Sequence, residues 1–207
     1  IVEAAPEIRV EALIAEEDMV VTITHTGYIK RNPISLYRSQ HRGGKGKVGI
    51  NVKEEDFVED LFIASTHDYI LFFTDAGKIH WMKVHELPQA GRLTRGKAIV
   101  NLLNLSADEK VTTILPLKDF AKGKFITFMT QRGVIKKTAL EAYSNPRSGG
   151  IIAISLDDGD ELISTKLTDG QQHLFIGTKM GKAIHFPENQ IREMGRTARG
   201  IRGIKLS

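Results

Sequence analysis

The 207-residue chain has no cysteine, and its apolar runs are all shorter than the ~18 residues that a membrane-spanning helix needs. The absence of cysteine excludes a disulfide scaffold, a cysteine-ligated zinc site and a thiol nucleophile. The short apolar runs exclude a helical membrane protein, so we expect no membrane partner. With 26% charged and 41% hydrophobic residues, the composition excludes a disordered chain and is typical of a folded, cytoplasmic protein.

Two further features are missing from the sequence. No window carries a sustained 3.6-residue apolar period, which excludes a mainly helical fold. The chain starts at Ile1 without a signal-type segment, so we expect it to be a piece of a longer protein.

What the chain does contain is a repeat marked by two series of glycines. In each of four segments, a β-type apolar run ends in a glycine turn, which is followed by a basic extended run. The turn glycines lie 50, 56 and 48 residues apart, and a second glycine follows each of them after 19, 19, 17 and 19 residues. The first series is Gly27, Gly77, Gly133 and Gly181, and the second is Gly46, Gly96, Gly150 and Gly200.

About four short strands per repeat of roughly 50 residues predict a propeller blade. The second glycines open the alternating runs KVGINV, KAIVNL, IIAISL and IRGIKL, and the runs FVEDLFIAS, VTTILPL and ELISTKL supply further strands. We therefore predict one all-β domain over residues 1–207, with repeats at approximately 17–66, 67–121, 122–171 and 172–207. An irregular β-sandwich would explain the alternation but not the constant glycine spacing.

The net charge of +4 conceals an alternation of sign that follows the repeats. Windows 30–53, 78–99, 122–150 and 171–207 contain 25 of the 29 Lys and Arg residues and only 4 of the 25 Asp and Glu residues. If the repeats are radial, the basic windows form one band and the acidic turns gather elsewhere. Such a band suits a polyanion that bends around the protein. The alternative is that the charged residues only form solvated faces. It predicts basic residues scattered along the sequence instead of recurring at the same positions of each repeat.

The most basic window contains the glycine-rich loop Gln40-His41-Arg42-Gly43-Gly44-Lys45-Gly46. Glycine lets backbone N–H groups approach a phosphate closely, and Arg42 can bind phosphate through two N–H groups. The spacing fits neither a Walker loop nor a dinucleotide fingerprint. Taken alone, the loop also suits a flexible linker; in this window it indicates phosphate contact.

This loop resembles the gyrase A-box, Gln-(Arg/Lys)-Arg-Gly-Gly-(Arg/Lys)-Gly, and departs from it only at His41. The runs THTGYIKR, GKAIVNLL, GVIKKT and ARGIRGIKL are also similar to the C-terminal domain of the DNA gyrase A-subunit family, and the resemblance covers essentially the whole chain. It implies a β-pinwheel, a propeller-like ring of four-stranded blades with exchanged strands. Four repeats are present of the family's usual six, so we expect an open arc with an exposed β-edge.

The resemblance also implies a function. A non-catalytic domain of this kind bends and wraps double-stranded DNA around its basic rim, so that an ATP-dependent type II topoisomerase introduces negative supercoils. The cleavage tyrosine, and the ATP and Mg²⁺ sites, are then outside this chain, and no cofactor is expected within it. The implied partners are DNA, the rest of the gyrase A-subunit, and the gyrase B-subunit in an A2B2 assembly, in the bacterial cytoplasm and associated with the chromosome.

The residues expected to contact DNA are the box and the basic positions of all four repeats. They are Gln40, His41, Arg42, Gly43, Gly44, Lys45, Gly46 and Lys47, with Lys30, Arg31, Arg38, Arg92, Arg95, Lys97, Lys136, Lys137, Arg147, Arg192, Arg196, Arg199 and Arg202.

Two other functions remain open at this stage. The equivalent domain of the topoisomerase IV A-subunit bends DNA but has a degraded box, and a propeller-type protein scaffold predicts an apolar face and no phased charge. The scattered histidines lack metal-type spacing, and no tyrosine lies beside an evident base. The acidic run at 157–161 lacks EF-hand spacing and is interpreted as a turn.

Overall fold

The computed structural model describes residues 10–37, 40–46, 48, 50 and 56–206. The fourteen strands of this part are β1 (Asp18–Thr24), β2 (Tyr28–Pro33), β3 (Val58–Ser65), β4 (Tyr69–Thr74), β5 (Lys78–Lys83), β6 (Lys97–Ala98), β7 (Val111–Leu117), β8 (Phe125–Thr130), β9 (Val134–Ala139), β10 (Ile151–Ile152), β11 (Leu162–Thr168), β12 (His173–Gly177), β13 (Ala183–Pro187) and β14 (Ile201–Arg202).

Helical structure in the described part is limited to short turns. Five 3-10 helices span Val10–Leu13, Ile34–Leu36, Val84–Glu86, Leu140–Tyr143 and Glu188–Gln190, and the α-helix α1 spans Ile99–Leu103. None of the described helices has the length and apolar character needed to span a membrane. The all-β prediction is therefore confirmed.

Helix α1 corrects the prediction of a strand through KAIVNL. The strand β6 ends after Ala98, and the chain turns into α1 with Ile99 and Leu103 buried and Val100 and Asn101 exposed. Burial at positions i and i+4 is the helical period, which the short apolar run did not distinguish from a strand.

The chain divides into two compact units, Ile1–Tyr69 with Met82–Leu102, and Ile70–Trp81 with Leu103–Ser207. The second repeat is shared between them. The prediction of one domain over the whole chain stays a prediction.

Unit 1 contains one antiparallel sheet in the order β3-β1-β2-β6. The hairpin of β1 and β2 turns at Gly27, and β3 pairs with β1 from Asp18↔Ser65 onward. The strand β6 pairs with β2 through Tyr28↔Ala98 and Ile29↔Lys97. The sheet built by the first repeat thus obtains its fourth strand from the second repeat.

Unit 2 repeats this arrangement with two four-stranded sheets, β10-β5-β4-β7 and β11-β8-β9-β14, and contains the two-stranded sheet β12-β13. Strand β10 of the third repeat pairs with β5, and β14 of the fourth repeat pairs with β9. The core includes Phe73 and Phe128, whose rings meet edge to face at 5.8 Å. The predicted strand exchange is present in both units.

The second glycines are required where exchanged strands meet. Gly96 and Gly200 have φ values of +90° and +102°. A Cβ on Gly96 would overlap the carbonyl oxygen of Ile29, and one on Gly200 would lie 2.6 Å from the carbonyl oxygen of Ile135. Only glycine combines positive φ with so close a backbone approach, which explains the glycines at these two positions.

Candidate nucleic-acid interface

Three of the four loops that precede the second glycines contain the same turn. The amide of Gly44 donates to the carbonyl of His41 at 2.9 Å, that of Thr94 to Gly91 at 3.0 Å, and that of Ala198 to Gly195 at 3.1 Å. In the third repeat the loop is two residues shorter, and the turn runs from Arg147 to Gly150, with an N···O distance of 2.9 Å.

This common turn gives the loops equivalent pairs of cations. One cation occupies its second position, and another lies directly before the glycine that ends the loop. The pairs are Arg42 with Lys45, Arg92 with Arg95, and Arg196 with Arg199. The structure thus places the basic residues predicted for repeats 1, 2 and 4 at matching positions.

The box loop is closed by its own glutamine. The Oε1 atom of Gln40 accepts a hydrogen bond from the amide of Gly46 at 3.0 Å. A Cβ on Gly44 would lie 2.7 Å from that oxygen, so a larger residue here would displace the glutamine side chain. His41, Arg42 and Lys45 are all exposed, and their charged or polar ends are accessible to a ligand.

The cations at the second turn position reach back to the preceding repeat. Arg92 Nη1 donates to the carbonyl of Val48 at 2.7 Å, and Arg196 Nη1 donates to the carbonyl of Ile152 at 3.0 Å. Because a guanidinium has five N–H donors, each arginine retains donors for a phosphate. Both side chains are half-buried.

The cations before the glycine lie beside acidic turns. Arg95 Nη2 is 3.1 Å from Asp56 Oδ2 and 2.8 Å from Thr26 Oγ1, and Arg199 Nη1 is 2.8 Å from Asp157 Oδ1. The expectation that the acidic turns gather away from the basic loops is wrong for these two turns, because each pairs with a loop cation of the following repeat.

Asp56 is held in its charged form. Burial alone would raise the pKa of this carboxyl, but hydrogen bonds from the hydroxyl and amide of Thr26, together with Arg95, bring the pKa well below its ordinary value. In unit 2, Asp160 Oδ1 accepts a hydrogen bond from the amide of Arg132 at 3.0 Å, as Asp56 Oδ1 does from the amide of Thr26. Sequence reasoning missed this role, although each acid stands shortly before the next strand.

Lysines at the third position after the turn glycine are buried. Lys30 Nζ donates to the carbonyls of Gly91 at 3.2 Å and Arg92 at 2.5 Å. Lys136 Nζ donates to the carbonyl of Ala153 at 2.6 Å and to that of Arg196. Burial lowers the pKa of both amines, with a smaller contribution from the neighbouring arginine, and that of Lys136 falls to about 7.

The next basic position is also directed at backbone. Arg31 donates to the carbonyls of Leu87 at 2.9 Å and His85 at 3.0 Å, and Lys137 Nζ donates to the carbonyl of Glu188 at 3.0 Å. These acceptors belong to the 3-10 helix of the following repeat or to its immediate end.

Lys30, Arg31, Lys136 and Lys137 were predicted as direct phosphate contacts. Their polar ends point at backbone carbonyls, so direct contact would require this packing to open. Lys97, Arg147, Arg192 and Arg202 are exposed as expected. Arg38 and Lys47 lie outside the described residues. Across the described ranges, no three His, Asp or Glu side chains group together in a way that could hold a metal ion.

The fold and loops define the chain as a strand-exchanged, propeller-type repeat domain with glycine-rich basic turns. The family model described as the DNA gyrase C-terminal domain, beta-propeller, matches residues 18–65, 68–118, 124–169 and 172–207. The chain belongs to this family.

Relatives at the sequence level are whole A-subunits of DNA gyrase. The chain is 50% identical to the A-subunit of Salmonella typhimurium over 201 residues, which is 97% of this chain and 23% of that protein. It is 48% identical to the A-subunit of Haemophilus influenzae over 207 residues, which is 100% of this chain and 24% of that protein. The chain therefore spans about a quarter of the length of these relatives.

Solved structures of similar fold come from two kinds of topoisomerase. The C-terminal domain of DNA topoisomerase IV matches with a TM-score of 0.81 and 30% identity, over 94% of this chain and 59% of that one. The DNA gyrase A C-terminal domain matches with a TM-score of 0.67 and 26% identity, over 92% of this chain and 61% of that one. The C-terminal domains of both enzymes have this fold, so the fold does not distinguish them. The assignment to gyrase rests on the higher sequence identity to the gyrase A-subunits.

Proposed function

We propose that this chain is the DNA-binding domain of the A-subunit of a bacterial DNA gyrase. It bends and wraps duplex DNA around its basic turns, so that the ATP-dependent holoenzyme introduces negative supercoils. The chain carries no catalytic residue in this proposal. The remainder of the A-subunit, together with the B-subunit, supplies strand cleavage, ATP and Mg²⁺ in an A2B2 assembly in the cytoplasm and on the chromosome.

The observation that carries the proposal is the turn shared by repeats 1, 2 and 4. Each copy presents two cations at equivalent positions, and those of the box loop are exposed. Recurrent cations on equivalent turns suit contact with the phosphate backbone, which is independent of sequence. Bending 20–30 bp of DNA costs roughly 1–6 kcal/mol, and several equivalent turns can offset this cost where one could not.

Except for Arg31, whose guanidinium donates to two backbone carbonyls, the residues we assign to DNA contact are the exposed or half-buried members of the predicted set. They are Gln40, His41, Arg42, Gly43, Gly44, Lys45, Gly46, Arg92, Arg95, Lys97, Arg147, Arg192, Arg196, Arg199 and Arg202. Arg38 and Lys47 remain predictions from the sequence alone. His41 lowers the charge of the box by one when its imidazole is neutral, and the turn geometry remains because its carbonyl makes the bond to Gly44.

The decisive test replaces both box cations in the full-length protein, as Arg42→Ala with Lys45→Ala. We expect the wild-type protein to leave positive writhe in closed-circular DNA that is relaxed and religated around it. The double variant should lose this writhe while it retains most of its affinity for a short duplex. Lys124→Ala with Lys166→Ala removes the same charge from two exposed lysines outside the loops and should change neither measurement.

Equal losses of writhe and short-duplex affinity in the box variant would contradict a special role for the loop. The structural similarity to the topoisomerase IV domain favours a second candidate, a domain that bends DNA without wrapping it. Binding that leaves no positive writhe in the wild-type protein would support that candidate instead. A complete absence of DNA binding would favour a protein scaffold.

A further inference from the structure

The buried lysines of repeats 1 and 3 occupy the same place in their strands. Lys30 on β2 and Lys136 on β9 each stand three residues after the turn glycine. Both side chains have an exposed fraction of 0%. Each ammonium is directed at the basic turn of a later repeat, Lys30 at the second and Lys136 at the fourth.

The carbonyl that each lysine binds belongs to the first cation of that turn. Lys30 binds the carbonyl of Arg92, and Lys136 binds the carbonyl of Arg196. The guanidinium of Arg92 donates to Val48, and that of Arg196 donates to Ile152. Each arginine is therefore fixed at its backbone by a lysine and at its side chain by a carbonyl of the preceding repeat. The second acceptor of Lys136, Ala153, directly follows Ile152.

A lysine is suited to this position because its amine has several donors on a long stem. The charged amine has three N–H donors and the neutral amine has two, so both carbonyls can be satisfied in either state. An apolar side chain of the same length would remove the lysine's donor from the carbonyl of Arg92 or Arg196. The other two acceptors keep a donor, because Thr94 also bonds to Gly91 and Tyr143 also bonds to Ala153.

The second repeat shows what accompanies a different residue at this position. His80 replaces the lysine, and the loop that follows is the shorter one with Arg147. Gly150 packs on the imidazole, where a Cβ would lie 2.7 Å from His80 Cε1. In repeats 2 and 4 the turn with two cations is thus held by a lysine of the preceding repeat, whereas in repeat 3 a compact glycine turn packs on a histidine ring.

From this geometry we propose that Lys30 and Lys136 are positioning residues, which hold the paired cations of the following repeat in the orientation that binds DNA. The proposal rests on the proposed DNA-binding function, but it assigns these lysines no phosphate of their own. It differs in this from the sequence prediction, in which each lysine contacts DNA directly.

The test uses Lys136→Met in the full-length protein, with Lys166→Met as the control that removes an exposed lysine from the same sheet. In the absence of DNA, hydrogen exchange at the amide of Ala198, which bonds to Gly195, should accelerate about tenfold in Lys136→Met, the change expected from losing about one hydrogen bond. The control should leave this rate unchanged. An unchanged rate in Lys136→Met would overturn the proposal.

A double-mutant cycle separates positioning from direct contact. Lys136→Met should weaken DNA binding in the wild type and have no additional effect in a background of Arg196→Ala with Arg199→Ala. An equal additional loss in that background, with a further decrease of about 0.9 in the salt slope, would show direct phosphate contact and refute positioning.

The outcome for the two arginines distinguishes this proposal from the proposed function. If Arg196→Ala with Arg199→Ala leaves DNA affinity unchanged, this turn does not bind DNA and the positioning role is overturned with it; loss of writhe in the box variant would still support the wrapping function. If Lys136→Met does not fold, Lys30→Met with Arg92→Ala provides the same cycle in unit 1, and exchange is then read at the amide of Thr94.

Discussion

Arg95 Nη2 lies 3.1 Å from Asp56 Oδ2, and its guanidinium stacks 3.7 Å from the centre of the Tyr28 ring. One contact joins the acidic turn of the first repeat to the basic turn of the second, and the other joins that turn to β2. Charges that alternate along the sequence are therefore adjacent in the fold. The basic turns of repeats 2 and 4 each contain one arginine that pairs with an aspartate side chain and one that donates to a backbone carbonyl.

The Asp56 carboxylate should make the free energy of unfolding decrease at low pH. Its pKa is below the ordinary value in the folded protein, so the unfolded chain binds more protons in acid, and stability is lost as the pH decreases from the ordinary pKa of an aspartate toward the folded-state pKa. We expect Asp56→Asn to lower the free energy of unfolding at pH 7 and to weaken its acid dependence. Urea unfolding at pH 7 and at about pH 3, which is below the ordinary pKa of an aspartate, measures both. An unchanged acid dependence in the variant would contradict this role.

The exposed pair of Arg199 and Asp157 should restrain DNA binding more than it stabilises the fold. An exposed pair contributes about 0–1 kcal/mol, so Asp157→Asn should leave unfolding nearly unchanged. Because Arg199 Nη1 then loses its carboxylate partner, DNA affinity should rise about two- to fivefold at low salt. Asp158→Asn removes the same charge one residue away and is the control. Equal gains in both variants would indicate a general effect of charge.

The two kinds of second glycine should respond differently to alanine. Gly46 and Gly96 both have positive φ, so both substitutions introduce strain of about 1 kcal/mol. Only at Gly96 does a Cβ meet backbone, at the carbonyl of Ile29, whereas none of the described residues lies within 4 Å at Gly46. Gly96→Ala should therefore be destabilising by about 1–3 kcal/mol more, as thermal or urea unfolding would show. Equal costs would mean that strain alone explains the glycine series.

Lys136 should make the protein more stable in mild alkali. Burial lowers the pKa of its amine to about 7, so between about pH 7 and 10 the unfolded chain binds more protons than the folded one. Stability then rises with pH in this window, by up to about 1.4 kcal/mol for each pH unit. Unfolding at pH 7 and pH 9 should show this gain in the wild type and a smaller one in Lys136→Met. Parallel pH profiles would exclude Lys136 as the source.

The glycine pattern predicted the hairpins, such as the one that turns at Gly27, whereas the strand exchange at Gly96 was implied only by the family resemblance. Strand alternation could not show which cations are buried. Lys30 and Arg31 follow one another on β2, yet both bind carbonyls of the next repeat, 54 to 62 residues further along the chain. Such acceptors are created by the fold and leave no local signal. The pairing of Asp56 with Arg95 was hidden for the same reason.

Strand exchange also separates the unit of folding from the unit of duplication. The sheet of the first repeat is incomplete until Lys97 and Ala98 have been added, and that of the third until Ile201 and Arg202 are present. During synthesis on the ribosome, each of these sheets must wait for part of its successor. A deletion that removes one whole sheet would also take a strand away from a neighbouring sheet. The number of blades can therefore change without loss of strand pairing only when both ends of the deletion fall at equivalent positions of two repeats.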